Sequence, residues 1–317
     1  MEQVASIGEL LLDIIQVPQS ERSDKVYSIF SPGGSAANTA VGLARLGVRA
    51  KFIGVVGDDY IGHFLLDYIK RSGVLIDQVK VKNFRTTVAI VILKEGGERE
   101  FVIYRKPFVE TADSMLDLKD IDVNEIVREN DIILTTGVAL SQEPSRSTVL
   151  RVIEESHKND KITILDPNIR LDIWSSKEEM IHILLSSLRS FDAFLGSIEE
   201  AQMLTSLSDP EEIADHLISK YGLDLVAIKM GKKGAYVKTS GKEEALVPSF
   251  NVKVIDTTGA GDAWNAGFIY SYYVKKDKLE ESVKFANAVA ALKCMDYGAM
   301  YPLPTLNQVK KFLLENK

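Results

Sequence analysis

The pattern that most limits this chain is the alternation of short apolar runs with helical stretches through its second half. Residues 131–135, Ile162–Asp166, 193–196 and Leu225–Lys229 read as strands. Ser145–Lys158, 177–188, Ile198–Thr205 and Pro210–Tyr221 read as helices between them. Strands separated in this way by helices predict an α/β fold around a mostly parallel sheet covered on both faces. In such sheets ligands bind beyond the carboxyl ends of the strands. Special residues crowd at those positions: Asp13, the Gly33–Gly34 pair, 166–170, 197–200 and 231–234.

The first half has the same character with one interruption. Residues 4–8, 10–15 and 51–56 are apolar and β-rich, and 31–35 (SPGGS) reads as a turn cluster. Residues 36–46 and 61–72 carry helical spacing, and Gly47 and Gly73 stop them. Then 87–93 and 100–104, separated by a Glu-Gly-Gly turn at 95–97, predict a hairpin outside the main sheet.

Composition excludes several functions. A net charge of −7 over 317 residues is a poor basis for phosphate-driven nucleic-acid binding. Cys294 is the only cysteine, so neither a disulfide within the chain nor a cysteine zinc cluster can form. His63, His157, His182 and His216 lack metal-ligand spacing. The first residues carry no basic segment before the apolar run, which argues against a signal peptide. No apolar run has the length of a membrane span. The expected compartment is the cytoplasm, with no nucleic-acid or membrane partner.

Two motifs carry chemistry. In DTTGAGDAW, Gly259, Ala260 and Gly261 leave backbone amides free at the start of a helix, which makes an anion site. Asp262 follows in the first turn of that helix. Helix capping would account for it alone; an exposed aspartate beside an anion pocket would equally serve phosphoryl transfer as a base. No Walker A, HRD or GxGxxG pattern is present. In GGSAANTAVGLARLG, the paired glycines Gly33 and Gly34 permit a tight turn, and Asn38 is polar among alanines.

Together these segments resemble the two signatures of the ribokinase-like (pfkB) carbohydrate kinases. IGELLLD, VVGDDYIG, DPNIRLDIW and FANAVAALKCMDYGAM follow in the family's order over essentially the whole chain. The resemblance implies a single three-layer α/β/α sandwich domain with a small β-sheet lid, here about 15–32 plus 86–104. It implies ATP and Mg²⁺ as cofactors, a small sugar as substrate and a primary hydroxyl as acceptor. Asp262 matches the family's base, and Gly259, Ala260 and Gly261 its anion hole. Asp13, Gly33, Gly34 and Asn38 match sugar contacts. Ser197 and Glu200 stand where the family has Asn-x-x-Glu near magnesium and phosphate, and serine capping would also explain Ser197. Lys229, Gly231, Gly234 and Asn287 fall on the nucleotide side. Asp256 and Thr258 match a monovalent-cation loop, implying K⁺.

DPNIRLDIW and FVIYR resemble segments of fructokinases and 2-keto-3-deoxygluconate kinases, so Tyr104, Arg105 and Arg170 are expected at the far end of the sugar. Surface salt bridges are the alternative for the arginines. Those acid kinases often carry two tyrosines before the arginine, where this chain has Ile103-Tyr104, which favours fructose. The rival of another class is a non-catalytic sugar- or nucleotide-binding regulatory protein. The hairpin's apolar alternation requires a cover, which predicts a homodimer through the lid.

Overall fold

A computed structural model describes residues 2–16, 27–93, 99–105 and 109–316. Thirteen strands lie among them: β1 Gln3–Ile7, β2 Leu11–Gln16, β3 Ser28–Gly33, β4 Arg49–Gly57, β5 Val79–Lys82, β6 Val88–Leu93, β7 Arg99–Tyr104, β8 Ile132–Thr136, β9 Ile162–Asp166, β10 Ala193–Ser197, β11 Leu225–Lys229, β12 Ala235–Thr239 and β13 Glu244–Val247. The helices are α1 Ser35–Arg45, α2 Tyr60–Arg71, α3 Val123–Glu129, α4 Ser145–Lys158, α5 Lys177–Ser187, α6 Ile198–Thr205, α7 Pro210–Tyr221, α8 Ala260–Phe268, α9 Leu279–Lys293 and α10 Leu306–Glu315.

Nine strands form the large sheet, in the order β13-β12-β11-β10-β9-β8-β1-β4-β5. From β11 to β5 all neighbours are parallel, and β12 and β13 add an antiparallel edge. The sequence reading did not anticipate β5, β12 or β13, which are short; β5 and β13 form the two edges of the sheet.

The parallel strands in the middle of the sheet are buried along nearly their whole length because both faces are covered. On β10, Ala193 and Leu195 join the core under α1, α2, α8 and α9, while Phe194 between them joins the core under α4 to α7. The same division runs along β8, with Leu134 on the first side and Ile133 on the second. This is the expected three-layer sandwich.

The predicted hairpin is β6 and β7, and it does lie outside the large sheet. It belongs to a second sheet of order β3-β2-β6-β7, with β2 and β6 parallel. The expected turn cluster at 31–35 is largely strand: Ser31 to Gly33 pair with Asp13 to Leu11. The turn at 95–97 and most of the expected lid segment between β2 and β3 lie outside the described residues. No helix among the described residues is long and apolar enough to cross a membrane.

Candidate active site

A cleft of about 560 Å³ opens at the carboxyl ends of the parallel strands, within the size range of small-molecule sites. The second sheet contributes Asp13 and Ile103 to its wall, and Arg105 follows directly after β7. The large sheet contributes Asp166 and Lys229, and the start of α8 contributes Gly259 to Asp262.

Asp262 sits in the first turn of α8, whose N-cap Gly259 adopts a left-handed φ of 75°. Its Oδ1 accepts a hydrogen bond from Ser35 Oγ at 2.6 Å, and its Oδ2 accepts one from Asn38 Nδ2 at 2.7 Å. Both donors lie on the first turn of α1, so the two signature motifs meet at this carboxylate. The sequence reading made Asp262 exposed, but it is only 5% exposed, because α1 packs directly against α8. Burial and the charge of Asp166 raise its pKa, and the bonds from Ser35 and Asn38 pull the other way. Asn38 Oδ1 lies buried in the cleft wall without a partner among the described residues.

Glu9, which follows the glycine of the opening IGELLLD, holds the start of α1. Its Oε1 accepts from the Ser35 backbone N–H at 2.7 Å, and Thr136 Oγ1 bonds its Oε2 at 2.8 Å. Complete burial pushes its carboxyl up to about 7. The sequence signal was an acid inside an apolar run.

Beside Asp262 lies a cluster of buried polar groups. Lys229 Nζ donates to Asp166 Oδ2 and to Asn265 Oδ1, each at 3.1 Å, and Asn265 Nδ2 also donates to Asp166 Oδ2. A Cβ at Gly261 would come within 3.4 Å of that ammonium, so it stands next to the anion hole. Asn265 lies one helical turn after Asp262, on the same face of α8. Glu200 accepts from the Ile169 and Ser197 backbone amides at 2.8 Å each, and Ser197 caps α6 reciprocally. The capping explanation for Ser197 therefore holds, although its side chain also lines the cleft. Burial and the nearby Asp166 raise the Glu200 pKa.

The Asp166 and Glu200 carboxylates beside one ammonium leave negative charge, and oxygen ligands of this kind suit a hard divalent cation. Among the described residues no cluster of three acids, histidines or cysteines could hold a metal unaided, so the remaining ligands would be phosphate and water oxygens.

Asp256, expected at a monovalent-cation loop, does not line the cleft that Glu200 lines. Asp256 is fully buried in the loop before the anion hole. Its Oδ1 accepts from the Thr258 amide at 2.8 Å and its Oδ2 from the Gly298 amide at 2.9 Å. Lys293 Nζ donates to its carbonyl at 2.7 Å. The Asp256 pKa lies below the ordinary value: burial alone would raise it, but the Lys293 charge and the hydrogen bonds outweigh burial.

Gly231 and Gly234, expected on the nucleotide side, line the cleft. Asn287 lines it too, but its amide is engaged by the protein. Its Oδ1 accepts from Trp264 Nε1 at 2.8 Å, and its Nδ2 donates to the Val247 and Pro248 carbonyls at 3.0 Å each.

Arg105 is no surface residue. It is 1% exposed, and its Nε donates to Asp113 Oδ2 at 2.6 Å and its Nη1 to Ser141 Oγ at 2.6 Å. Thr87 and Thr111 hydroxyls hold the other Asp113 oxygen. The Arg105 Nη2 is buried without a partner among the described residues. Arg170 lies over the Phe101 ring at 4.9 Å and donates to the Ile169 carbonyl.

Two expected sugar contacts fall elsewhere. Tyr104 is 54% exposed and does not line the cleft, because alternation along β7 turns Phe101 and Ile103 inward and Val102 and Tyr104 outward. Gly33 is also absent from the cleft wall. A Cβ there would lie 2.1 Å from Asp13 Oδ2, so its bareness admits the Asp13 carboxylate. The sequence reading gave no individual role to Glu9, Ser35, Asp113, Asp166, Asn265 or Lys293, although it marked 166–170 as a strand-end segment. Except for Asp113, whose partner Arg105 is 8 positions away, each takes a partner far off in sequence.

The sandwich, the second sheet over the strand ends and an acid beside a Gly-Ala-Gly helix start define a phosphotransferase for small molecules. The pfkB family carbohydrate kinase model matches residues 1–306. The chain is 32% identical to probable fructokinase-4 of Arabidopsis thaliana, over 99% of this chain and 97% of that one. It is 30% identical to a 5-dehydro-2-deoxygluconokinase of Clostridium botulinum, over 99% and 94% respectively. Among solved structures, fructokinase from Vibrio cholerae O395, bound to fructose, ADP and a calcium ion, superposes with a TM-score of 0.87 at 32% identity, covering 99% of each chain. The chain belongs to the pfkB family of carbohydrate kinases and is a sugar kinase.

Proposed function

We propose that this kinase transfers the γ-phosphate of ATP to a primary hydroxyl of fructose. The observation that carries this reading is the Asp262 carboxylate, held by Ser35 and Asn38 at the start of α8, within the cleft. The nucleotide lies along Gly231 and Gly234, with its phosphates toward the amides of Gly259 to Gly261 and the Lys229 ammonium. Asp262 takes the proton of the sugar hydroxyl, the oxygen bonds to the γ-phosphorus, and the bond from that phosphorus to the bridging oxygen of ADP breaks. Asp13, Gly34 and the free Oδ1 of Asn38 hold the sugar. Mg²⁺, near Glu200 and Asp166, would neutralise phosphate charge.

Similarity to fructokinases supports the choice of sugar, and so does Arg105. Its charge is already balanced by Asp113, so the N–H groups of its Nη2 suit a neutral hydroxyl better than a carboxylate. A second reading, a 2-keto-3-deoxygluconate kinase, is favoured by Arg170, which has no acidic partner among the described residues and could take a carboxylate. Phosphorylation rates for fructose, 2-keto-3-deoxygluconate, ribose and adenosine, measured side by side, decide between them. Fastest turnover of fructose is expected. Fastest turnover of the acid would establish the second reading, and no sugar-dependent ADP release from any of them would point to a non-catalytic binder.

We also propose a homodimer through the second sheet. Phe30, Ile14, Ile90 and Val102 are cross-strand partners in one row on its outer face. Phe30 is 66% exposed and Val102 41%. Tyr104 stands on this same face, which gives it a place in the dimer instead of the sugar site. An apolar row of this kind calls for a cover, and a second copy of the same sheet supplies one.

A further inference from the structure

The loop that leads into the anion hole is clamped from one side by the end of α9. The Cys294 carbonyl accepts from the Ile255 amide at 2.8 Å and from the Asp256 amide at 3.3 Å. The Gly298 amide reaches the Asp256 carboxylate. Between these bonds runs the side chain of Lys293, the last residue of α9. It is 0% exposed, and its ammonium donates to the Asp256 carbonyl at 2.7 Å. A lysine is almost never buried to this degree without compensating charge, and here the compensation comes from the Asp256 carboxylate.

The resemblance read from the sequence put a potassium ion at this loop, on Asp256 and Thr258. Such an ion would take the same backbone carbonyl and the same carboxylate charge. It would then stand within a few ångströms of an ammonium already bound there, like charge against like, in a place with little water to screen them. An alkali ion and an ammonium carry the same charge at similar size, and a buried ammonium on a side-chain tether satisfies carbonyl oxygens as well. The loop therefore does not fit a free monovalent cation beside Lys293.

We infer that Lys293 supplies the loop's cation from within the chain, so that the anion hole at Gly259 to Gly261 is held in place without potassium. The consequence for phosphate binding rests on the kinase reading given above; the clamp itself does not. Thr258, which the resemblance also placed in the cation loop, has a buried hydroxyl with no partner among the described residues, and a direct comparison of salts tests whether an ion uses it.

The full-length protein is compared in potassium chloride and in tetramethylammonium chloride at equal ionic strength. Three readouts are taken: thermal unfolding midpoint, ADP affinity by calorimetry, and turnover of the best sugar. For the wild type, ADP affinity and turnover are expected to agree within about twofold between the salts, with no midpoint shift specific to potassium. Lys293→Met is expected to lose at least about tenfold in ADP affinity in tetramethylammonium and to recover part of it in potassium, because the vacated position becomes an ion site. A wild type whose ADP affinity or turnover rises about tenfold with potassium would overturn the inference. So would a Lys293→Met protein that matches the wild type without potassium. If the variant does not fold, the wild-type comparison still decides. If no sugar is phosphorylated, unfolding and ADP binding still report on the loop, so failure of the kinase reading is seen separately.

Discussion

Asn38 donates through Nδ2 to Oδ2 of Asp262 at 2.7 Å, across 224 positions of sequence. With the Ser35 hydroxyl on the other oxygen, it fixes the carboxylate in one orientation while leaving lone pairs on both oxygens for a substrate proton. The arrangement joins the start of α1 to the start of α8, so the position of the base depends on how those two helices pack.

Replacing Asp262 by Asn should lower turnover by about 10²–10⁴-fold, the usual worth of a general base. ADP affinity should stay near the wild-type value. Steady-state kinetics with calorimetry checks this, and near-normal turnover would remove Asp262 from the chemistry. In Ser35→Ala and Asn38→Ala a bond that lowers the Asp262 pKa is lost. The acid limb of the rate–pH profile should therefore move to higher pH in both.

Glu9 should make stability fall as pH rises. Its carboxyl titrates from the ordinary 4.5 when unfolded to about 7 when folded, so between those values the folded state holds a proton that the unfolded state has lost. The stabilising contribution is fully present below pH 4.5 and is lost as pH rises through about 7. It totals about 3 kcal/mol. Glu9→Gln keeps the acceptor for Ser35 and removes the titration. Denaturant titrations across this range should show a flatter pH dependence in the variant, and equal slopes would contradict the assignment.

Asn287→Ala should destabilise the protein by about 2 kcal/mol, because the Trp264 N–H and the Val247 and Pro248 carbonyls lose their buried partner. If the residue instead serves only the nucleotide, the unfolding free energy without ligand would be unchanged while ADP affinity fell.

The outer face of the second sheet should hold the dimer. Light scattering is expected to give twice the chain mass for the wild type and the chain mass for Phe30→Lys, since a lysine there would be buried opposite its own copy. A monomeric wild type at micromolar protein would reject the interface.

Much of this molecule could be read directly from the chain. The mostly apolar runs of β8 to β11 pointed to a parallel sheet covered on both faces, because burial on both sides removes the alternation that a half-exposed strand shows. The Gly-Ala-Gly before Asp262 required a helix start open to an anion. Those properties reside in neighbouring residues, so local sequence contains them.

The tertiary structure decided what depends on contacts between distant segments. It buried Asp262 beneath α1, although local sequence made it an exposed acid. It paired Arg105 with Asp113 inside the protein and turned Tyr104 to the outside, a distinction set by strand register and invisible in composition. It also brought Lys293 to the Asp256 carbonyl, where the family resemblance had implied a free ion. Each of these outcomes is a matter of charge and desolvation between groups that meet only when the chain is packed, which is why the residues alone could not announce them.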